Sequence, residues 1–297
     1  MTEELEQKVD LMKREIDALQ IAITGQTKPW YRNVSTLLSI MALLFSFGTT
    51  FVSYHRTAVQ DIQNARQELR GLLQRLAALP KENVEIQKKY ADDPASMLVV
   101  SGFINQENAL LAKQAAELTK NLPSDLVSGT EFYAIAIALQ NSYDLSGTEE
   151  FLKSSAATAE KTKDFNVEIA ALRSGANLQF VKGRPEAGRI DYQKAMNIFS
   201  KYPDYDPFTK TNTNVLTELA WAYSEFSGGS ISFARQHIEN AETLLKDLPN
   251  SPGADILRGQ VSQAIAVISN GQTITTTTKL GIAPLPGATA PLPQKPD

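Results

Sequence analysis

Cysteine is absent from this 297-residue sequence, and histidine occurs only twice, at His55 and His237. A chain without cysteine forms no disulfide, thiolate nucleophile, Cys-ligated zinc site or iron–sulfur cluster. Two histidines leave little material for an imidazole-based metal site or an acid–base pair. The absence of cysteine is compatible with either side of a membrane, so it does not assign a compartment.

The motifs of common nucleotide-binding and hydrolytic sites are also absent. The sequence contains no G-x-x-x-x-G-K-[ST] loop, no G-x-G-x-x-G turn, no H-E-x-x-H pair and no G-x-S-x-G elbow. The carboxylates of Glu149 and Glu150 are adjacent in sequence, and neighbours on a helix point apart, so they form no acid–base dyad. We therefore expect no catalytic residue, no cofactor and no bound metal.

Positive charge is not concentrated in any segment of the chain. Twenty-nine Lys and Arg residues stand against 33 Asp and Glu, which gives a net charge of −4. Nucleic-acid binding needs a basic face or stripe. We therefore expect no nucleic-acid partner.

A stretch of 21 uncharged residues runs from Val34 to Tyr54. As a helix it would be roughly 31 Å long, about the thickness of a bilayer core. Trp30 and Tyr31 precede it, and aromatic side chains of this kind favour membrane interfaces. We predict a transmembrane helix with its flanks over residues 30–56. The alternatives are a cleaved signal peptide and a buried core helix, and the charged segment of about thirty residues before the stretch argues against a signal peptide.

The charged N-terminal tail suggests an orientation for this predicted span. A densely charged segment is awkward to translocate, so we expect a single-pass membrane protein with a cytoplasmic N-terminus. The C-terminal domain would then lie on the outer side, and the lipid bilayer would be one partner. Basic residues on the two flanks are nearly balanced, so they do not decide the orientation.

Small residues recur along the uncharged stretch at alternating spacings of four and three. They are Ser35, Ser39, Ala42, Ser46, Thr49 and Ser53. Small side chains on one face let membrane helices approach closely. We predict that these six residues form a transmembrane association face. The alternative is chance, because Ser and Thr are common in membrane helices.

Two heptad patterns flank the uncharged stretch. The first, within residues 1–29, consists of Leu5, Val9, Met12, Ile16, Leu19 and Ile23, and the second consists of Ile62, Ala65, Leu69, Leu72, Leu76 and Leu79. Such seams are typical of coiled coils, so we predict a helical stalk over 57–80 and a homo-oligomer. Pro80 cannot continue the helical hydrogen bonds and is expected to end the stalk. The alternative is an amphipathic helix that lies on the membrane or on the next domain.

The following domain, residues 81–271, has helical periodicity throughout, so we predict an all-α fold. The expected helices span 95–104, 106–121, 129–144, 149–162, 165–182, 185–201, 211–226, 231–247 and 253–269. Four of them share an i, i+4, i+7 stripe. The stripes are Ala109–Lys113–Ala116, Leu152–Ala156–Ala159, Gly188–Tyr192–Ala195 and Ala234–Ile238–Ala241.

Three of these stripes are followed by prolines, Pro123, Pro203 and Pro249, seven or eight residues after the last small residue. Small, bulky, Ala and Pro in this order resemble the second helix of the tetratricopeptide-repeat family. The resemblance covers roughly residues 95–250 and implies an α-solenoid of antiparallel helix pairs. The apparent periods of 43, 36 and 46 residues exceed the family's 34.

Proteins that resemble this family usually bind peptides or partner proteins, so the resemblance implies a scaffold or adaptor with an unknown protein partner. Exposed positions on the first helices are the candidate contacts, namely Asn177, Asn214 and Glu218. Tyr205 and Phe208, in an aromatic and acidic loop, could dock a partner or fold back onto the core. Two other functions remain open: a structural protein that self-assembles, and an enzyme with a cryptic active site.

The last segment, residues 272–297, combines a threonine run with five prolines. Proline-rich chain favours extended conformations over a packed helix. We predict a disordered tail there.

Overall fold

The computed structural model describes residues 2–24, 34–202 and 205–269, apart from the side chains of residues 2–5, 22–24, 34–37, 48 and 50–58. Over this part of the chain the secondary structure is helical without any strand, so the prediction of an all-α fold is confirmed. The α-helices are α1 (Thr2–Thr24), α2 (Val34–Lys89), α3 (Pro94–Lys120), α4 (Gly129–Asn141), α5 (Leu145–Thr162), α6 (Phe165–Val181), α7 (Pro185–Asn197), α8 (Pro207–Ser227), α9 (Ile231–Lys246) and α10 (Pro252–Ser269). Short 3-10 helices cover Ser124–Leu126 and Ile198–Lys201. The predicted tail over 272–297 lies outside the described residues.

The chain divides into two compact units, residues 1–64 and 65–297. Within the described residues, no helix is both long enough and apolar enough to cross a bilayer. The predicted transmembrane helix over 30–56 is therefore not supported. Its first residues, 30–33, lie outside the described part, and its remainder belongs to α2, which continues into charged sequence as far as Lys89.

The predicted association face falls in the first unit. Ser39, Ala42, Ser46 and Thr49 are exposed. The Thr49 hydroxyl donates a hydrogen bond back to the carbonyl oxygen of Phe45, at 2.9 Å. The side chains of Ser35 and Ser53 lie outside the described residues. Helix association through this face stays a prediction.

Pro80 does not end the helix that contains it, so the predicted stop is wrong. α2 continues to Lys89. Arg75, before the proline, forms an ion pair with Glu82 after it, and its Nε lies 2.6 Å from Oε1 of Glu107 on α3. Pro80 removes one backbone N–H donor. The Arg75–Glu82 ion pair spans the proline and links the two halves of the helix.

Three residues of the second heptad seam are already covered within the chain. Leu69, Leu76 and Leu79 are buried, and Arg66 on the same helix pairs with Glu131 of α4 at 2.7 Å. This part of α2 therefore packs onto the helices that follow it. The three leucines are not free to form the predicted self-associating seam.

Helices α4 to α9 form successive pairs. α4 packs most extensively on α5, α6 on α7, and α8 on α9, while α6 also contacts α4 and α8. Because the connections within these pairs are only three residues long, the paired helices run antiparallel. The predicted helices 95–104 and 106–121 are one continuous helix, α3.

Four connections share one backbone geometry. Each contains one residue in the left-handed region, and these residues are Tyr143, Lys163, Gly183 and Gly229, with φ of 62°, 58°, 70° and 81°. The residue after each of them donates its N–H to the carbonyl oxygen five residues earlier, as Asp164 does to Ala159 at 2.9 Å. This is the Schellman ending of a helix. The first three left-handed residues lie 20 residues apart, so the chain repeats a helix and its turn at that interval.

Small residues allow the paired helices to approach closely. A Cβ atom on Gly188 of α7 would lie 2.5 Å from the Phe180 ring and 2.8 Å from the Ala176 carbonyl oxygen on α6. Two predicted stripes are buried as expected, Gly188–Tyr192–Ala195 and Ala234–Ile238–Ala241.

The stripe predicted on α3 is wrong. Lys113 is exposed and Ala109 is half-buried, and of the stripe only Ala116 is buried, together with Ala112, Ala115 and Thr119. The buried face of α3 is therefore rotated away from the predicted stripe.

Candidate functional site

A stack of three rings joins α7, α8 and α9. The Trp221 indole lies between the Tyr192 ring, with centroids 5.3 Å apart and planes at 12°, and the His237 ring, with centroids 4.0 Å apart and planes at 24°. Tyr192 is fully buried and Trp221 is 9% exposed. The stack therefore fixes the spacing of the three helices from inside.

The Tyr192 hydroxyl is satisfied entirely by α8. It lies 2.8 Å from the Ser224 hydroxyl and donates to the carbonyl oxygen of Ala220 at 3.1 Å. Asn177 of α6 donates its amide to the same Ser224 oxygen at 3.0 Å. Burial raises the pKa of Tyr192 to about 12, so the phenol is neutral at physiological pH.

A buried carboxylate lies one turn along α8. Glu225 is 0% exposed and accepts hydrogen bonds from Nε and Nη2 of Arg189, at 2.7 and 2.8 Å. The Trp221 indole N–H donates a third bond to it, at 3.1 Å. Burial acts to raise the pKa of Glu225, but the hydrogen bonds from Arg189 and Trp221 outweigh it and hold the pKa below its usual value. The carboxylate is therefore structural, because its lone pairs are engaged.

Glu218 is one of the predicted exposed contacts, and that expectation of exposure is wrong. Its side chain is buried beneath α9, and Oε2 lies 2.6 Å from Nδ1 of His237. Asn240 of α9 approaches the same carboxylate at 3.4 Å. The periodicity of α8 alone does not show that α9 covers this position.

The other predicted contacts also lie against the protein. Asn177 is bound to Ser224, as described above, and Asn214 is half-buried, with an Oδ1 that has no hydrogen-bond partner among the described residues. Tyr205 packs against the rings of Phe165 and Phe199, at centroid distances of 5.0 and 5.1 Å. Phe208 packs on the core formed by α8, α9 and α10. The two aromatic residues thus fold back onto the core, and binding of a partner by any of these residues stays a prediction.

A polar cluster that the sequence interpretation missed lies where α4 meets α6. The hydroxyls of Tyr133 and Ser174 are 3.1 Å apart. Arg173, beside Ser174, is half-buried, and its Nε is shielded from solvent without a hydrogen bond. The sequence did offer one signal for this site, since Arg173 is the only basic residue in α6.

The carboxylate of Glu149, elsewhere in this unit, is engaged in three ion pairs. Glu149 binds Lys153, Lys182 and Arg184, at 2.9, 2.6 and 2.8 Å. The hydrogen bonds from these cations, Lys182 first, hold the pKa of Glu149 well below its usual range. No group of three or more His, Cys, Asp or Glu side chains in the described part of the chain is arranged to hold a metal ion.

An apolar face remains exposed on α3. Val99, Phe103 and Leu110 are 59%, 66% and 58% exposed. Their spacings of four and seven residues place them on one side of the helix. Buried residues of the same helix, such as Ile104 and Ala115, lie on the opposite side. α3 therefore buries one face in the protein and presents a second apolar face to solvent.

No family model matches this chain, and comparisons with curated proteins and with solved structures find no significant match. The resemblance to the tetratricopeptide-repeat family thus depends on the sequence pattern and stays a prediction. Function must follow from the geometry of the described residues.

Proposed function

We propose that this chain is a non-enzymatic protein-interaction scaffold that binds a partner protein through the exposed face of α3. The observation that carries the proposal is the row formed by Val99, Phe103 and Leu110, three large apolar side chains exposed on one side of the helix. Large exposed apolar side chains grouped on one face of a helix are typical of interaction surfaces.

The energy available at this row is sufficient for a specific contact. Complete burial of a Val, Leu or Phe side chain contributes about 1.5–3 kcal/mol. Three such side chains on one rigid helix lose little conformational freedom when they bind. The row can therefore form the apolar centre of an interface.

Helices α4 to α9 would serve as a TPR-like α-solenoid that supports this surface. The recurring Schellman turns and the close approach at Gly188 support this part of the proposal. Arrays of helix pairs bury their apolar stripes against neighbours and leave extended surfaces for binding. The ring stack and the buried Arg189–Glu225 pair would keep the helices of the solenoid in fixed positions.

The test is crosslinking in cells with full-length protein, followed by mass spectrometry of peptides joined to α3. We expect the double variant Phe103→Ser and Leu110→Ser to lose these crosslinks and to unfold at an unchanged temperature. Leu98→Ser is the matched control, because Leu98 is 73% exposed but lies off the row. If the double variant keeps the crosslinks of the wild type, the proposal fails.

The same experiment separates recruitment from self-assembly, the second candidate function. An exposed apolar row can be covered by an identical row on a second copy. Crosslinks between two α3 peptides of this chain would favour self-assembly, and crosslinks to another protein would favour recruitment. Mixed populations of chains labelled with light and heavy isotopes distinguish crosslinks between copies from crosslinks within one copy.

Membrane attachment through residues 30–56 belongs to the proposal, and its only support is the uncharged stretch from Val34 to Tyr54. The test is carbonate extraction of membranes from cells that express the full-length chain. Retention in the pellet would support a spanning helix, and release into the supernatant would remove it from the proposal. Protection of the C-terminal domain from external protease would reverse the proposed orientation.

A further inference from the structure

Arg173 carries an uncompensated positive charge inside the array. Its side chain is half-buried on α6, and its Nε is shielded from solvent without a hydrogen bond. Arginine does not lose its proton in proteins. Partial burial of a cation without an ionic partner costs free energy, so an anion bound beside it would stabilise the folded protein.

The described protein supplies no such anion. On the helices that flank α6, Glu131 is paired with Arg66 at 2.7 Å and Glu225 with Arg189 at 2.7 Å. The ionisable groups that act on Arg173 are the phenols of Tyr192 and Tyr133, and burial lowers the pKa of the guanidinium. Phenols are neutral at physiological pH, so they cannot balance the charge.

The site is open to a ligand and offers further donors. Among the nitrogens of Arg173 only Nε is both shielded and unbonded, so the terminal nitrogens of this half-buried side chain keep some exposure to solvent. The hydroxyls of Tyr133 and Ser174 share one hydrogen bond, in which either oxygen can be the donor. Two hydroxyls carry two hydrogens, and one bond uses one of them. The second hydrogen remains available for an incoming acceptor.

We propose that Arg173, together with the hydroxyls of Tyr133 and Ser174, binds a carboxylate from an acidic segment of a partner protein. The guanidinium fork matches the two oxygens of a carboxylate. One uncompensated positive charge balances one carboxylate, whereas a phosphate group would bring nearly two negative charges. The site uses none of the α3 residues, so it does not depend on the apolar contact proposed there.

The test uses full-length protein and two probes, a fluorescent aspartate-rich peptide and sodium acetate compared with sodium chloride at equal ionic strength. Arg173→Met keeps the unbranched stem and removes the charge, and Arg173→Lys keeps the charge without the fork. We expect peptide affinity to fall about tenfold or more in Arg173→Met and by less in Arg173→Lys. Acetate should raise the unfolding temperature of the wild type and not that of Arg173→Met.

Arg235→Met is the matched control, because Arg235 is exposed on α9. In chloride, Arg173→Met should be at least as stable as the wild type, because no bound partner is lost. Equal loss of peptide affinity in both Arg→Met variants, or failure of Arg173→Met to fold, would overturn the proposal. If acetate raises the unfolding temperature but the peptide does not bind, the site accepts small carboxylates. The proposed binding of a protein segment would then be wrong. If inorganic phosphate raises the unfolding temperature more than acetate does, the assignment of the ligand as a carboxylate is wrong.

Discussion

Arg189 on α7 binds Glu225 on α8 through two parallel hydrogen bonds, of 2.7 and 2.8 Å. The carboxylate is 0% exposed, whereas the guanidinium keeps 27% of its side-chain exposure. The pair joins two helices that belong to successive helix pairs. The ion pair therefore links two neighbouring helix pairs of the array.

Arg189→Met should lower the free energy of unfolding by about 3 kcal/mol, at the low end for a broken buried pair because the arginine is partly hydrated. The loss arises because Glu225 stays buried without its cation. The double variant Arg189→Met with Glu225→Leu should recover most of it, since the buried charge is then gone. Urea denaturation measures both values, and a double variant less stable than the single one would contradict this explanation.

Three glycines should respond to alanine in three different ways. Gly188→Ala should destabilise the protein by about 1–3 kcal/mol, because the new Cβ overlaps Phe180 and Ala176 of α6. Gly183→Ala should cost about 1 kcal/mol through backbone strain alone, because φ is 70° and the space around it is open. Gly175→Ala, in open space within α6, should be neutral or stabilising by up to about 1 kcal/mol.

Thermal and urea unfolding of the three glycine variants provide the measurement. Each variant serves as a control for the others, since the substitution is identical. Similar losses at Gly188 and Gly175 would show that α6 and α7 do not approach as closely as described.

Glu149 should stabilise the protein in a pH-dependent way. Its pKa is lowered by hydrogen bonds from Lys182, Lys153 and Arg184, so its contribution is present above the ordinary value of 4.5 and is lost as the pH falls towards the folded pKa. Glu149→Gln should cost about 1 kcal/mol at pH 7, because these ion pairs are partly exposed. The wild type and the variant should converge in acid.

Glu150→Gln is the control for this experiment, because Glu150 is the exposed neighbour of Glu149. Its effect should stay within about 0.5 kcal/mol at every pH. Urea denaturation at several pH values measures both variants. A constant difference between Glu149→Gln and the wild type down to the lowest pH would contradict the ion-pair explanation.

Glu168 should have the opposite pH dependence. It is buried, its Oε2 lacks a hydrogen bond, and the nearest cation, Lys201, is 4.0 Å away. Burial raises its pKa above 4.5, so stability is fully present below that value and is lost as the pH rises through the folded pKa. Glu168→Gln should therefore stabilise the protein by about 1 kcal/mol at pH 7.

The stabilising effect of Glu168→Gln should disappear below the ordinary carboxyl pKa, where the wild-type side chain is already neutral in both states. Thermal unfolding of the variant and the wild type between about pH 3 and 8 checks this sign. A variant that is less stable than the wild type at pH 7 would show that Lys201 outweighs the cost of burial.

Much of the secondary structure could be predicted from local sequence. The helix beginning at residue 129 has a Ser128–Glu131 capping box, and Asp164 caps the helix beginning at 165. These contacts lie within a few residues of one another, so sequence spacing is sufficient to recognise them. A capping residue also precedes α8, where Asp206 caps the helix that begins at Pro207. The predicted helix did not use this signal and began four residues too late.

The candidate sites could be predicted less well. The exposed row on α3 depends on its register, and the sequence favoured two shorter helices there. Glu218 occupies a polar position that looks exposed until α9 covers it with His237. Arg173 differs from the exposed arginines because it is half-buried and its Nε is shielded without a hydrogen bond. All three features depend on contacts between residues far apart in the chain.

By itself, the sequence determined the all-α class, the positions of most helices in the array and the small residues where α7 and α9 pack. Each of these follows from hydrogen bonds and side-chain spacing within one helix or one turn. Only the tertiary structure decided that α2 passes Pro80, that Leu69, Leu76 and Leu79 are covered, and that Arg173 lacks an anion. The reason is physical: burial and charge pairing depend on which side chains meet across helices, and helical periodicity specifies a face without specifying what lies opposite it.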